Sequence, residues 1–188
     1  WFGFNAGSSL AANGTAVNAF VVTNTAAAAA LVTWVAITWI FGKKASVTGA
    51  ATGAVAGLVA ITPAAGFVGV MPSLIIGIGA GVICYSAIVI LARLKVDDAL
   101  AVFGVHGMGG VWGALATGLF AGVGFASGAS DKLLADQMIV QLIAIGATIA
   151  YSFIVTSIIL LAIKFTLKLE VSEEEERAGL DVSQHGEE

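Results

Sequence analysis

His106 lies inside an uncharged run, residues 99–123, and an imidazole at that depth in hydrocarbon carries a cost that needs a reason. Its surroundings, Phe103-Gly104-Val105-His106-Gly107-Met108-Gly109-Gly110-Val111-Trp112-Gly113, are glycines and large apolar side chains, so burial there is expected to favour the uncharged ring. A neutral imidazole offers one donor and one acceptor nitrogen. It can hold a small neutral hydrogen-bonding molecule, or receive a proton, without leaving a permanent charge in the membrane. The competing reading is a packing residue hydrogen-bonded to a neighbouring helix.

Little else in the chain offers chemistry. No other acid or base lies at mid-depth, which argues against a proton pump contained in these helices alone. Asp97 and Asp98 stand where the run begins, as carboxylates that can cap free backbone N–H groups. On a regular helix Asp98 is about 12 Å from His106 along the axis, so an Asp-His pair is not expected. Cys84 is the single cysteine and sits in an apolar run, which excludes an internal disulfide and a paired-thiolate metal site. No nucleophile stands with a histidine and acid, and no spacing suits a metal. An enzyme, a cofactor, a metal and a nucleic-acid partner are therefore not expected. The stretch Gly77-Ile78-Gly79-Ala80-Gly81 lacks both the glycine offset and the preceding strand of a nucleotide loop.

The elements that must position His106 are membrane helices. The chain is 59% hydrophobic and 11% charged, outside the range of soluble domains. Five runs, residues 18–41, 47–67, 72–91, 99–123 and 136–163, are long enough to cross about 30 Å of hydrocarbon, and residues 1–10 read as the end of a sixth span. Pro72 suits the first turn of its helix, and Pro63 is expected to kink or end its run. Glycines spaced by four, at Gly49/Gly53/Gly57, Gly109/Gly113 and Gly118/Gly122, are expected to bring helix backbones close.

Lys43 and Lys44, Arg93 and Lys95, and Lys164 and Lys168 follow alternate spans, while the other connections are bare except for the balanced Asp131 and Lys132. Basic loops stay cytoplasmic, so the first segment is expected to end outside and the carboxyl terminus inside. Two regions are expected: residues 1–168 in the membrane and an acidic cytoplasmic tail over 169–188, where His185 has polar neighbours and a surface role. The chain opens at Trp1 without a start methionine or leader and reads as a piece of a longer protein.

Three stretches resemble the Amt/MEP/Rh ammonium transporter superfamily: Trp1-Phe2-Gly3-Phe4-Asn5-Ala6-Gly7-Ser8, Gly57-Leu58-Val59-Ala60-Ile61-Thr62-Pro63-Ala64-Ala65-Gly66, and Asp98-Ala99-Leu100-Ala101-Val102-Phe103-Gly104-Val105-His106-Gly107. The tail, with Gly179-Leu180-Asp181 and His185-Gly186-Glu187-Glu188, is similar to the family's ending. The resemblance implies an all-α, polytopic bundle: the carboxyl-terminal half of an eleven-helix, inverted-repeat protomer, usually trimeric, with one pore per protomer. It implies that His106 is the second of two pore histidines, Phe4 the inner member of a phenylalanine gate and Ser8 the hydroxyl of the outer ammonium recruitment site. Trp1 and Thr62 would line the path, and Asp98 would be a structural acid near its inner end.

Phe4 and Trp1 also read as interfacial anchors and Ser8 as a group bonded to a nearby carbonyl. The implied function is transport of ammonium or ammonia across the cell membrane, with docking of a cytoplasmic PII-type regulator on the tail. The alternatives are an ammonium sensor signalling through that tail and a Rh-like conductor of ammonia or carbon dioxide.

Overall fold

The computed structural model describes residues 1–42, 44–123, 125, 134–167 and 169–187. Lys43, Gly124, Lys168 and Glu188, with the whole connection 126–133 including Asp131 and Lys132, lie outside the described residues. Every regular element among the described residues is helical. They divide into two compact units, Trp1–Ile145 and Gly146–Glu188.

The first unit opens with α1 (Phe2–Gly7) and α2 (Gly14–Gly42). Asn13 starts α2 by accepting the Ala16 N–H at 3.0 Å, satisfying one of the free donors of its first turn. Ser46 starts α3 (Val47–Ile61) in the same manner, accepting from the Gly49 N–H. Pro63 has no N–H to continue the ladder, and the Val59 carbonyl takes the Thr62 N–H instead, so α3 stops at Ile61 and turns follow to Phe67. That makes α3 15 residues long, or about 22 Å, shorter than the run expected over 47–67. Helix α4 (Val70–Arg93) carries Pro72 in its first turn.

The run expected over 99–123 also differs. It is not one regular helix: a π-turn over Phe103–Gly107 leads into α5 (Met108–Phe120) of 13 residues. Helix α6 (Leu134–Thr166) follows. Among the described residues, α2, α4 and α6 are each long and apolar enough as single helices to cross a membrane.

Backbone proximity holds the first unit together. A methyl group at Gly57 or at Gly77 would collide with the Ala26 carbonyl, so α3 and α4 press on the same stretch of α2, inside the alanine run 26–30. Gly53 leaves only enough room for Trp34, and Gly81 for Thr33. Gly113 of α5 meets the Ala60 carbonyl, and Gly109 faces Cys84 and Val59. In lipid such contacts are held by van der Waals packing rather than by release of water. The Gly77–Gly81 spacing, which sequence reasoning only tested as a nucleotide loop, is thus a helix-packing face. Gly118/Gly122 is not one: Gly118 lies under Met138 and Gln141, but Gly122 has φ 84° and forms the turn after α5.

Polar groups fasten the ends. The Asn18 amide donates to the Ala65 and Val68 carbonyls, and the Gly122 N–H donates to the Phe67 carbonyl while the Gly69 N–H donates to that of Val123. The turns after α3 and after α5 are therefore joined.

In the second unit the tail is folded. Ser172 and Glu175 form a reciprocal capping box at the start of α7 (Glu173–Ala178). The Gln184 amide, in a second π-turn over Asp181–His185, donates to Glu175 Oε1 at 2.9 Å.

Candidate functional site

The amino-terminal segment, the end of α3 and the π-turn before α5 converge on one patch of the first unit. Trp1 is its centre: its ring lies 6.3 Å from the His106 ring, tilted by 31°, and 5.9 Å from that of Phe4. The indole N–H donates to Thr62 Oγ1 at 2.9 Å, and Thr62 in turn donates to the Leu58 carbonyl at 2.7 Å. With its single donor occupied, Trp1 presents only π-surface and ring edges to the patch. The structure thus brings together four of the residues singled out in the sequence: Trp1, Phe4, Thr62 and His106.

Helix α1 is held in place by a buried pair. Asn5 donates its side-chain amide to Thr23 Oγ1 of α2 at 3.0 Å, and Phe2 stacks on Phe20 at 4.3 Å. Successive residues of a short helix point to different sides, so anchoring Asn5 inward turns Phe4 outward, where it is 66% exposed. Sequence reasoning passed over Asn5. The signal was available: an amide in an apolar segment is as much in need of a partner as an imidazole.

Ser8 closes α1. Its hydroxyl donates to the Phe4 carbonyl at 2.7 Å, which directs the hydroxyl hydrogen away from any visitor and leaves oxygen lone pairs free to accept. Asp98 sits in the turn ahead of the π-turn. Its carboxylate accepts the Phe103 N–H at 3.1 Å and the Gly104 N–H at 2.9 Å. Those amides, Gly104 foremost, hold its carboxyl below the ordinary carboxylate range, against the opposing effect of desolvation.

Within this chain His106 is exposed, as are Trp1 and Phe4. The helix around it is not regular, and the glycine face of α5 turns toward α3 and α4 without the imidazole. Asp98 does not reach His106; it bonds the backbone between them. Among the described residues no group of histidine, cysteine and carboxylate side chains has the geometry to hold a metal ion.

The patch is therefore a wall of aromatic rings with one imidazole among them. It can offer π-faces to a cation and hydrogen bonds to a small neutral amine.

Comparison with known proteins gives the wall a family. The chain is 49% identical to the ammonium transporter of Bacillus subtilis over 191 residues, an alignment covering 100% of this chain and 47% of that protein. It is 48% identical to ammonium transporter Amt1 of Archaeoglobus fulgidus, covering 100% of this chain and 48% of that one. The chain thus spans about half the length of the curated relatives it matches. That coverage does not support the expected placement in their carboxyl-terminal half.

Among solved structures, Mep2 of Saccharomyces cerevisiae aligns with a TM-score of 0.83 at 36% identity, over 93% of this chain and 42% of that one. A structure titled Sensor Amt Protein aligns with a TM-score of 0.86 at 32% identity, over 98% of this chain and 45% of that one. The profile of the Ammonium Transporter Family matches residues 1–188, from end to end, and the chain belongs to that family.

Proposed function

We propose that the intact protein transports ammonium across the cell membrane and that the Trp1, Phe4 and His106 wall is one side of its conduction path. The observation that carries this reading is the exposed His106 packed beside a tryptophan whose indole N–H is already taken by Thr62. Large aromatic rings left uncovered by their own helices fit a surface completed by the part of the relatives' length that lies beyond this chain.

The mechanism follows from the groups present. Ammonium is held outside by aromatic faces and by the Ser8 oxygen, loses a proton, and passes as ammonia along the imidazole. Ammonia can both donate to and accept from a neutral ring, so it is handed on without a lasting charge. Potassium has no proton to lose and would enter as a bare ion, at a desolvation cost of several kcal/mol that an apolar wall does not offset. In this reading Phe4 gates the entry and Trp1 and Thr62 line the path.

The alternation of basic residues, with Lys44, Arg93, Lys95 and Lys164 at the ends of α2, α4 and α6, supports a multi-pass protein with a cytoplasmic carboxyl terminus. Family resemblance supports a homotrimer and a PII-type regulator docking on the tail.

The test is flux through the intact transporter with His106→Ala and His106→Leu. Loss of ammonium flux, or of its discrimination against potassium, supports the reading. If both survive unchanged, His106 is a packing residue.

A second reading is favoured by the likeness to the Sensor Amt Protein and by the hydrogen-bonded fold of the tail: occupancy of the site signals through residues 170–188. A protein dead in transport that still alters a cytoplasmic partner's binding would favour sensing. Pull-down of a PII protein that persists after deletion of residues 170–188 would remove the tail from either account.

A further inference from the structure

On a regular α-helix, residues three and seven apart share a face, so His106 would lie on the same side as Gly109 and Gly113. Those two glycines are pressed against Val59, Cys84 and the Ala60 carbonyl. A regular helix would therefore aim the imidazole at the α3–α4 contact. It is aimed elsewhere: His106 is exposed and faces Trp1, while Val105 is the residue buried, at 3% exposure. The cause is the π-turn over Phe103–Gly107, closed by donation from the Met108 N–H to the Phe103 carbonyl. A π-turn rotates less per residue than an α-turn, which leaves Val105, four residues before Gly109, on the packed face and turns His106 away from it.

The wide turn has a visible clamp. Asp98 Oδ1 accepts the Phe103 N–H and Oδ2 the Gly104 N–H, the first two amides of the turn. The Asp98 carbonyl accepts the Ala101 N–H at 2.8 Å, and Ala101 adopts a left-handed φ of 54° to make that bend. On the other side Gly104 rests on α4, where an added Cβ would lie 2.6 Å from Ile88 Cγ1.

We propose that Asp98 and Gly104 are positioning residues for His106: the bidentate carboxylate and the Gly104–Ile88 contact fix the π-turn, and the π-turn fixes the direction of the imidazole. The claim rests on the conduction reading given above. Neither residue touches the transported molecule. A site of this kind tolerates displacements of only about half an ångström, so loosening the turn degrades selectivity before it degrades folding.

The experiment measures ammonium and potassium flux per folded molecule of the intact transporter for Asp98→Asn, Gly104→Ala, Ile88→Ala, the double variant Gly104→Ala with Ile88→Ala, and His106→Ala. Asp98→Asn replaces one accepting oxygen with an amide that cannot accept. Asp98→Asn and Gly104→Ala are each expected to lower ammonium flux by about tenfold or more and to lower the ammonium-to-potassium ratio as His106→Ala does. The double variant, which removes the obstructing Ile88 side chain, is expected to recover most of the loss. If Asp98→Asn does not fold, recovery of Gly104→Ala by Ile88→Ala decides the question.

Should His106→Ala impair selectivity while Asp98→Asn and Gly104→Ala keep wild-type flux and ratio per folded molecule, positioning is refuted and conduction stands. An unimpaired His106→Ala refutes conduction, and the positioning role with it. A Gly104→Ala loss that Ile88→Ala does not repair also refutes the role of the contact.

Discussion

The interior face of the bundle and its Trp1–His106 face are built from opposite materials. Where α2 meets α3 and α4, the chain uses Gly53, Gly57, Gly77 and Gly81 to bring backbones together, leaving no room for another methyl group. Around Trp1 it does the reverse, leaving Phe4 66% and Trp1 43% exposed. Helices that must touch carry glycines, which seat neighbouring backbone and, at Gly53, the buried Trp34, whereas the rings of Trp1 and Phe4 stand where no helix of this chain covers them. The contrast separates the contacts that hold the fold from the open aromatic face.

The largest effect should come from crossing that division. Gly57→Leu forces a branched side chain into the Ala26 carbonyl and is expected to destabilise by about 3 kcal/mol or more, read as thermal unfolding in detergent. Phe4→Leu, on the open face, should leave that transition nearly unmoved while changing ammonium selectivity. Equal loss of stability in both would erase the distinction.

Asn5→Ala comes next, since it removes the buried bond to Thr23 that orients α1, at about 1 kcal/mol. It is also expected to loosen Trp1 and Phe4, so it should affect both folding and transport. Ala101→Gly, at a left-handed position, should stabilise by about 1 kcal/mol.

Smallest is the effect of acid on the Asp98 clamp. Because the folded carboxyl is held below its unfolded value, its contribution is complete at neutral and mildly acidic pH and disappears only as pH falls through the depressed value. Transport measured between about pH 5 and 8 should therefore show no transition that Asp98→Asn abolishes.

Much of the fold could be read from spacing. The apolar runs located every long helix, Pro63 foretold the end of α3, and glycines spaced by four marked real contacts at Gly53/Gly57 and Gly109/Gly113. Hydropathy reports length and polarity but not backbone pitch, which is why the run over 99–123 concealed a π-turn. The same limit explains His106: its cost in an apolar run was visible, but the face it occupies depends on a hydrogen-bond pattern that no periodicity encodes. Trp1 and Thr62 were named by resemblance alone, and only the fold supplies the bond between them. Asn5 could have been singled out as an amide in an apolar segment, but its partner Thr23, on another helix, is supplied only by the fold.

The most direct test of the uncovered wall is an experimental structure of the intact protein prepared with methylammonium. The account expects a narrow passage running beside the His106 ring and along Trp1, with the amine or a water bonded to an imidazole nitrogen. An imidazole sealed between helices or turned to lipid, with no passage beside it, would contradict the account.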